Sequence, residues 1–479
     1  LENCRIIGTQ PLCYCKNLTL INCELLDADL CFERSEVNAT ITTPVVSIKN
    51  PLSGCIHVPA VGEIIREDKA RRYVVPSAPG KRFSKDIKVT DMLYDCYETA
   101  VAGKDFSDKL KKIQERYQEI IDGLDLDFSL KDDFKIIEEN FRNGAGMDYA
   151  ASRGEFLNGK VMAAYLDIPF VDAAEVVRFN EDGSFNDEVT NELLSDRLSD
   201  LERAVIPGFY GAKEDGTVVT FSRGGSDISG SLVALAVHAD LYENWTDVSG
   251  FLIADPRIVR NSKSIEIITY KELRELSYMG ASVLHEDAIF PVRKAGIPIN
   301  IRNTNAPQDK GTLIVESTCR KSKYTITGIA GTDGFAAITV EKAMMNSEIG
   351  FCRKVLQVFE DNGVSIEHMP SGIDTMTIFV RKDTFEEKEQ KILSDINKAV
   401  HPDHIELESD LALIAVVGRG MKSTRGTAGR IFSALAHAHI NVKMIDQGSS
   451  ELNIIVGVRH EDFKNAIRAL YEIFVLTQL

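Results

Sequence analysis

Tryptophan occurs once in the 479 residues, and the longest purely apolar runs are short, 232–237 being one of them. A membrane-spanning helix needs about 20 apolar residues, so no membrane span is expected. Basic residues are in deficit, 55 against 72 acidic ones, and the formal charge is −17. That excludes broad electrostatic binding to nucleic acid, which needs a basic surface. It is still compatible with a local anion site on an acidic protein. No secretory signal is visible, and the first residue is Leu, which does not mark a native start. Cysteine is scarce beyond residue 55, with only Cys96, Cys319 and Cys352. The other six (Cys4, Cys13, Cys15, Cys23, Cys31, Cys55) crowd the front. Paired C-x₂-C spacing is missing, which weakens a zinc reading, and nothing else looks secreted, which weakens a disulfide framework. Small buried residues of a repetitive β-fold fit better. Asn3-Cys4-Arg5-Ile6-Ile7 recurs as Asn22-Cys23-Glu24-Leu25-Leu26 at an offset of 19, close to one turn of a parallel β-helix.

Two loops carry the chemistry. The first, Ser222-Arg223-Gly224-Gly225-Ser226-Asp227, follows the apolar run Val218-Val219-Thr220-Phe221 and precedes a helical stretch over 228–241. A glycine-rich turn from strand into helix aims free N–H groups and the positive helix end at one point, which suits an anion. Arg223 adds a planar fork for carboxylate or phosphate, and Asp227 stands where an acidic N-cap would. An ordinary Arg before a capped helix is the plainer alternative. The second loop, Trp245-Thr246-Asp247-Val248-Ser249-Gly250, leads to Asp255-Pro256-Arg257.

Strand and helix patterns alternate after residue 60. Strands are expected at 72–75, 170–177, 204–206 and 297–301, and helices over 104–143 and 284–295. Such alternation implies a mostly parallel sheet covered by helices, with ligands beyond the carboxyl ends of the strands. A linker follows over 303–323. Beyond it Gly350, Val355, Val364, Ile366 and Gly372 recur as Gly426, Ile431, Ile440, Val442 and Gly448, always 76 residues on. That constant offset indicates two copies of one small α+β module, suited to ligand sensing and subunit contact.

Further motifs fall in one order with these loops: Val75-Pro76-Ser77-Ala78-Pro79-Gly80, Ser152-Arg153-Gly154-Glu155, Pro207-Gly208-Phe209, Gly280-Ala281-Ser282-Val283-Leu284-His285 and Gln447-Gly448-Ser449-Ser450. Together, over about residues 64 to 475, they resemble the aspartokinase family. The resemblance implies an α/β fold, a three-layer αβα amino-acid kinase sandwich with a mostly parallel sheet, followed by two ferredoxin-like α+β ACT domains. It divides the chain into an atypical Cys-rich β-repeat segment (1–62), a kinase domain (63–305), a linker (306–325) and ACT domains at 326–400 and 401–479. It implies phosphoryl transfer from ATP, with Mg2+, to the side-chain carboxylate of L-aspartate, in a cytoplasmic enzyme. Since that nucleophile is already an anion, catalysis reduces to alignment and charge neutralisation. Arg223 and Asp227 are the implied catalytic residues. Ser77, Thr90, Glu155, Phe209 and Ser226 join them around aspartate, with Glu155 accepting the substrate ammonium. Thr246, Asp247, Leu252, Arg257 and Ser282 match nucleotide-side positions, and no protein metal ligand is implied. Met369, Ser371 and Asp374 lie where an effector, lysine being the one expected, would be held. A homodimer or larger homo-oligomer through the ACT domains is implied as well.

The front of the chain departs from the family. Members begin with a strand and a Lys-Phe-Gly-Gly-Ser-type loop that handles the ATP phosphates, and this sequence does not contain it. In its place stands segment 1–60, which resembles uncharacterised β-helix-like proteins, so the whole reads as a fusion of unrelated sequences. Loss of such charge stabilisation predicts turnover far below that of a complete relative. A non-catalytic amino-acid sensor is the alternative. Ser282 and Leu252 also replace a lysine and a tyrosine common in the family.

Overall fold

A computed structural model describes residues 1–7, 12, 15, 16, 18–26, 37–41, 56–57, 68–83, 85–222, 224–281, 284, 286–320 and 322–477. The chain forms two compact units, one of residues 1–250 and 284–313, the other of residues 251–283 and 314–479.

In the first unit the front of the chain is a parallel ladder of four strands, β1 (Arg5–Ile7), β2 (Leu18–Leu26), β3 (Val37–Ile41) and β4 (Ile56–His57). Arg5 pairs with Glu24 and Leu18 with Val37, so both registers are offset by the 19 residues of the sequence repeat. Leu20, Cys23 and Leu25 are buried. Among the described residues Cys4, Cys96, Cys319 and Cys352 are free thiols.

The alternating part of this unit pairs its strands in parallel. Strand β5 (Tyr73–Val74) lies beside β6 (Ala204–Val205), and Phe170 bridges to Val205. A short hairpin, β7 (Tyr210–Ala212) with β8 (Val218–Thr220), is antiparallel. Strand β9 (Tyr242–Thr246) runs parallel to β10 (Ile299–Asn303). Helices α1 (Val89–Val101), α2 (Ser107–Gly123), α3 (Lys131–Arg142) and α4 (Met147–Leu166) share one core containing Leu93, Ile113, Tyr117, Phe134, Ile137, Phe141 and Leu157. Each such side chain contributes about 1.5–3 kcal/mol over leaving it exposed. Helices α5 (Asp187–Ser199) and α6 (Gly225–Ala236) pack on a second core around Ile206, Tyr210 and Phe221.

Two expectations need correction here. Residues 170–177 are not a strand. Only Phe170 bridges, and Asp172 then caps a four-residue helix, Ala173–Val176, by accepting from the Ala174 N–H. The helix expected over 228–241 starts at Gly225 and ends at Ala236, so Asp227 stands in its first turn and left-handed Gly224 is the cap. Residues up to 241 could not stay helical because Tyr242 must already be in β9.

The second unit contains an antiparallel six-stranded sheet. Its strands are β11 (Gly328–Glu341), β12 (Ile366–His368), β13 (Thr375–Arg381), β14 (His404–Val417), β15 (Met444–Asp446) and β16 (Asn453–Arg459), in the order β12-β13-β11-β14-β16-β15. The long strands β11 and β14 start 76 residues apart, as do the helices Phe351–Asp361 and Thr427–His437. The repeat read in the sequence is thus a repeat of structure, two ACT modules sharing one sheet.

Helix α7 (Tyr270–Tyr278) of this unit begins with a capping box formed by Thr269 and Glu272. Glu272 is fully buried, yet both its oxygens are occupied. It accepts from the Thr269 N–H and hydroxyl, from Thr327 Oγ1 (2.5 Å), and from the Arg419 backbone N–H and guanidinium (2.8 and 2.9 Å). Burial alone would raise its pKa. Hydrogen bonds from Thr327, Arg419 and Thr269 outweigh that and hold it below the usual range.

Candidate active site

The chain leaves β5 into the turn Pro76–Gly80, whose backbone is tied down at each step. Gly208 N–H donates to Pro76 O (3.2 Å), Asn158 Nδ2 donates to Ser77 O (2.6 Å), and Ala78 N–H donates to the Glu155 carboxylate. A Cβ on Gly154 would lie 2.8 Å from Ala78 Cβ and 3.7 Å from Thr90 Oγ1, so α4, the turn and the first turn of α1 meet at that glycine. Ser77, Thr90 and Glu155 are thereby brought into one neighbourhood.

Glu155 is only 6% exposed, and its Oε2 has no hydrogen-bond partner. An unpaired buried carboxylate oxygen is costly as an anion, and burial pushes this carboxyl up to about 7, partly offset by the Ala78 N–H and by Arg153. Arg153 itself is buried, with its guanidinium 4.4 Å from the centres of both the Tyr149 and Phe156 rings and 5.3 Å from that of Tyr210. The site therefore holds a carboxyl that a cationic group would ionise.

The opposite wall comes from Pro207–Phe209 and the start of α6. Phe209 has φ +79°, an uncommon value for a residue with a side chain. It is held there because its N–H donates to Ser229 Oγ (3.0 Å) and its carbonyl accepts from Phe221 N–H (2.9 Å). A Cβ on Gly225 would fall 2.6 Å from Phe209 Cδ2, and one on Gly208 would fall 2.8 Å from Ser226, so glycine is required at both positions. Asp227 accepts from Asn244 Nδ2 (2.8 Å), and Tyr242 Oη donates to its carbonyl (3.2 Å). Arg223 lies outside the described residues. Six aspartate-side residues are thus linked through the Pro76–Gly208, Gly208–Ser226, Phe209–Gly225 and Ala78–Glu155 contacts.

The nucleotide-side set divides between the two units. In the first unit Thr246 ends β9, its carbonyl accepting from Thr304 N–H (2.8 Å) and its hydroxyl donating to exposed Asp247 (3.3 Å). Trp245 is flanked by the guanidiniums of Arg71 (5.4 Å) and Arg302 (5.0 Å), both paired with Glu243. In the second unit Leu252 bridges antiparallel to Ser264. Arg257 is largely exposed and forks onto Asp255, with Nη2 at 2.6 Å. Ser282 lies outside the described residues.

Of the effector set, Ser371 lines a groove of about 250 Å³ with Pro370, Gly372 and Thr375 of one module and Lys443, Met444 and Ile445 of the other. Met369 and Asp374 do not line it. The Asp374 carboxylate accepts from the Met344 N–H (2.9 Å) and so holds the preceding loop. Among the described residues no group of three or more His, Cys, Asp or Glu could hold a metal ion. Nor is any helix there long and apolar enough to cross a membrane.

Sequence reasoning missed Arg116 and Tyr117. Both lie on the buried stripe of α2 with Leu110, Ile113 and Ile121, and that spacing was the available signal.

Residues 59–303 match the amino acid kinase family, residues 414–474 an ACT domain family, and residues 1–74 a protein family of unknown function, DUF3737. Aspartokinase 3 of Bacillus subtilis is 41% identical over 433 residues, covering 86% of this chain and 94% of that protein. The aspartate kinase of Clostridium acetobutylicum is 51% identical with a TM-score of 0.78, over 86% of this chain and 95% of that one. E. coli aspartokinase III, solved with aspartate and ADP, shares the fold at 23% identity and a TM-score of 0.61, again over 86% and 95%. The match to these kinases over most of their length, together with the kinase and ACT modules found in that order, places the chain in the aspartokinase family.

Proposed function

We propose that this aspartokinase holds L-aspartate between the Pro76–Gly80 turn, α4 and the start of α6. Arg223 takes a substrate carboxylate, Glu155 takes the ammonium, and Ser77, Thr90, Ser226 and Asp227 complete the polar wall beside Phe209. The observation that carries this reading is the unpartnered oxygen of buried Glu155, next to a turn whose Pro76 and Ser77 carbonyls are already occupied. ATP is the phosphoryl donor. The family resemblance assigns Thr246, Asp247, Leu252, Arg257 and Ser282 to the nucleotide in this proposal. Mg2+ would travel with the nucleotide, whose phosphates supply most of its oxygens, and exposed Asp247 is a donor of the right class. The substrate carboxylate attacks the γ-phosphorus, the bond to the ADP oxygen breaks, and 4-phospho-L-aspartate leaves with ADP.

Lysine is the proposed effector, acting at the ACT pair near Met369, Ser371 and Asp374. E. coli aspartokinase III has been solved with lysine and aspartate in a T-state, which supports that choice. Homodimerisation through the first ACT module is supported by its exposed apolar side chains Met344 (68%), Ile349 (98%) and Ile373 (71%). The same descent supports a cytoplasmic location. A non-catalytic sensor is less favoured, given 41% identity to a kinase along nearly its whole length.

A hydroxylamine trap for the acyl phosphate, run beside calorimetry with aspartate, tests the reading. Acyl phosphate no greater than in a protein-free control would sink the kinase reading. Calorimetry without any aspartate heat would sink the pocket assignment.

A further inference from the structure

The turn that carries Ser77 and the helix that carries Thr90 are joined by residues 80–88, a stretch with four basic residues, Lys81, Arg82, Lys85 and Lys88. Such a charged connection should wander, yet one buried side chain grips it at both ends. Arg116 of α2 is 4% exposed. Its guanidinium donates to the carbonyl of Gly80 at the start of the stretch and to that of Ile87 at its end (2.6 Å). Between them it pairs with Asp86 (3.1 Å). Asp86 also accepts from the Arg82 backbone N–H (2.9 Å) and side chain, and Arg82 reaches out to Glu119 (2.9 Å). A buried guanidinium is tolerated only when its donors are filled, and here the acceptors all come from this one stretch or from Met92 just beyond it.

The next residue of α2 grips the other wall. Tyr117 is fully buried, and its hydroxyl donates to the carbonyl of Gly154 (2.7 Å), one residue before Glu155. Gly154 is also where α4 meets Ala78 and Thr90 most closely. Two consecutive residues of one helix therefore fix both walls, Arg116 the loop wall and Tyr117 the helix wall.

We propose that Arg116 and Tyr117 are positioning residues for aspartate binding, setting the separation of Ser77 and Thr90 from Glu155 without touching the substrate. This rests on the reading of those three residues as the aspartate pocket. A misplacement of about 1 Å can cost on the order of a hundredfold, so loosening either grip should weaken aspartate binding at least roughly tenfold. Lys in place of Arg116 cannot serve two carbonyls and a carboxylate with the same planar fork, so it is expected to restore only part of the affinity.

The test uses the full chain. Aspartate binding is measured by calorimetry for the parent, Arg116→Lys, Arg116→Gln, Asp86→Asn, Tyr117→Phe and, as a control on the exposed outer arm, Glu119→Gln. Trypsin supplies a second readout, because the gripped stretch contains four of its cleavage sites. The expected result is weaker binding in the order Glu119→Gln (unchanged), Arg116→Lys, Arg116→Gln. Faster cleavage within 81–88 should accompany the Arg116 and Asp86 variants, and saturating aspartate should slow it in the parent. Should Arg116→Gln fail to fold, Asp86→Asn and Tyr117→Phe carry the same comparison. Parent-like aspartate affinity in the folded variants overturns the positioning role alone. A parent that binds no aspartate overturns the pocket assignment, and this role with it.

Discussion

Glu155 and Glu272 are both buried glutamates on helices, one in each unit, and their surroundings push them in opposite directions. Glu272 has every oxygen occupied by Thr269, Thr327 and Arg419, and its carboxyl is held below the usual range. Glu155 has one oxygen with no partner, and its carboxyl is pushed up to about 7. Burial is similar, so the difference lies in the hydrogen bonds that each site supplies. A satisfied buried carboxylate is a structural clamp, whereas an unsatisfied one is waiting for a cation.

The comparison breaks most visibly at Glu272. Arg419→Ala leaves its charge buried with fewer partners, and loss of about 3–5 kcal/mol in unfolding free energy is expected for the second unit. Urea denaturation followed by a probe in that unit reads it, and a loss under 1 kcal/mol would contradict the clamp. Glu155→Gln should do the reverse. Removing an unsatisfied charge should leave stability unchanged or raised, while aspartate affinity falls by roughly 1.5–3 kcal/mol, the scale of a charged hydrogen bond. Calorimetry beside a thermal melt separates the two effects.

Acid sharpens the contrast. Glu155 is raised in the folded state, so its contribution is present in full below pH 4.5 and lost as pH rises toward about 7. Glu272 is lowered, so its contribution is present above pH 4.5 and lost as pH falls through its folded value. Unfolding of the parent and of Glu155→Gln from pH 4 to 8 should therefore converge at the acid end and diverge toward neutrality. Near pH 7, aspartate binding should release protons in the parent and not in Glu155→Gln, a difference read by calorimetry in buffers of unlike ionisation heat. The smallest effect belongs to Glu348, a partly exposed carboxylate lowered to about 2 by Lys342 and Lys354. Glu348→Gln should leave the urea midpoint within error, since solvent screens such pairs.

The two ACT modules make the same point on a larger scale. Arg419 clamps Glu272 in the second, where the first has Ala343 at the equivalent position. The first instead exposes Met344, Ile349 and Ile373, where the second has Gly420, Arg425 and Ser449. Duplication fixed the backbone; divergence at a few positions gave one copy an anchor and the other an open apolar face.

Local regularities were legible in the sequence. The 19-residue and 76-residue repeats became strand registers and matching helices, because a repeat of hydrophobic spacing is a repeat of packing. The ordered motifs brought out Ser77, Glu155, Phe209 and Asp227, since glycine-rich turns and short polar signatures are written contiguously. Residues 170–177 misled because a short, mostly apolar segment of that length, broken here by Asp172 and Glu175, does not distinguish a strand from a capped turn of helix. What only the tertiary structure decided was partnership. Arg116 reads as one more charge on a Lys- and Glu-rich helix until Gly80, Asp86 and Ile87 arrive from 29 to 36 residues away. Glu272 is locally a capping-box residue, and Arg419 reaches it only from 147 residues on. Periodicity and turn chemistry act between near neighbours and are therefore encoded along the chain. Desolvation and its compensation depend on groups that only folding brings together, and they decide which buried carboxyl is satisfied and which is left with an open oxygen.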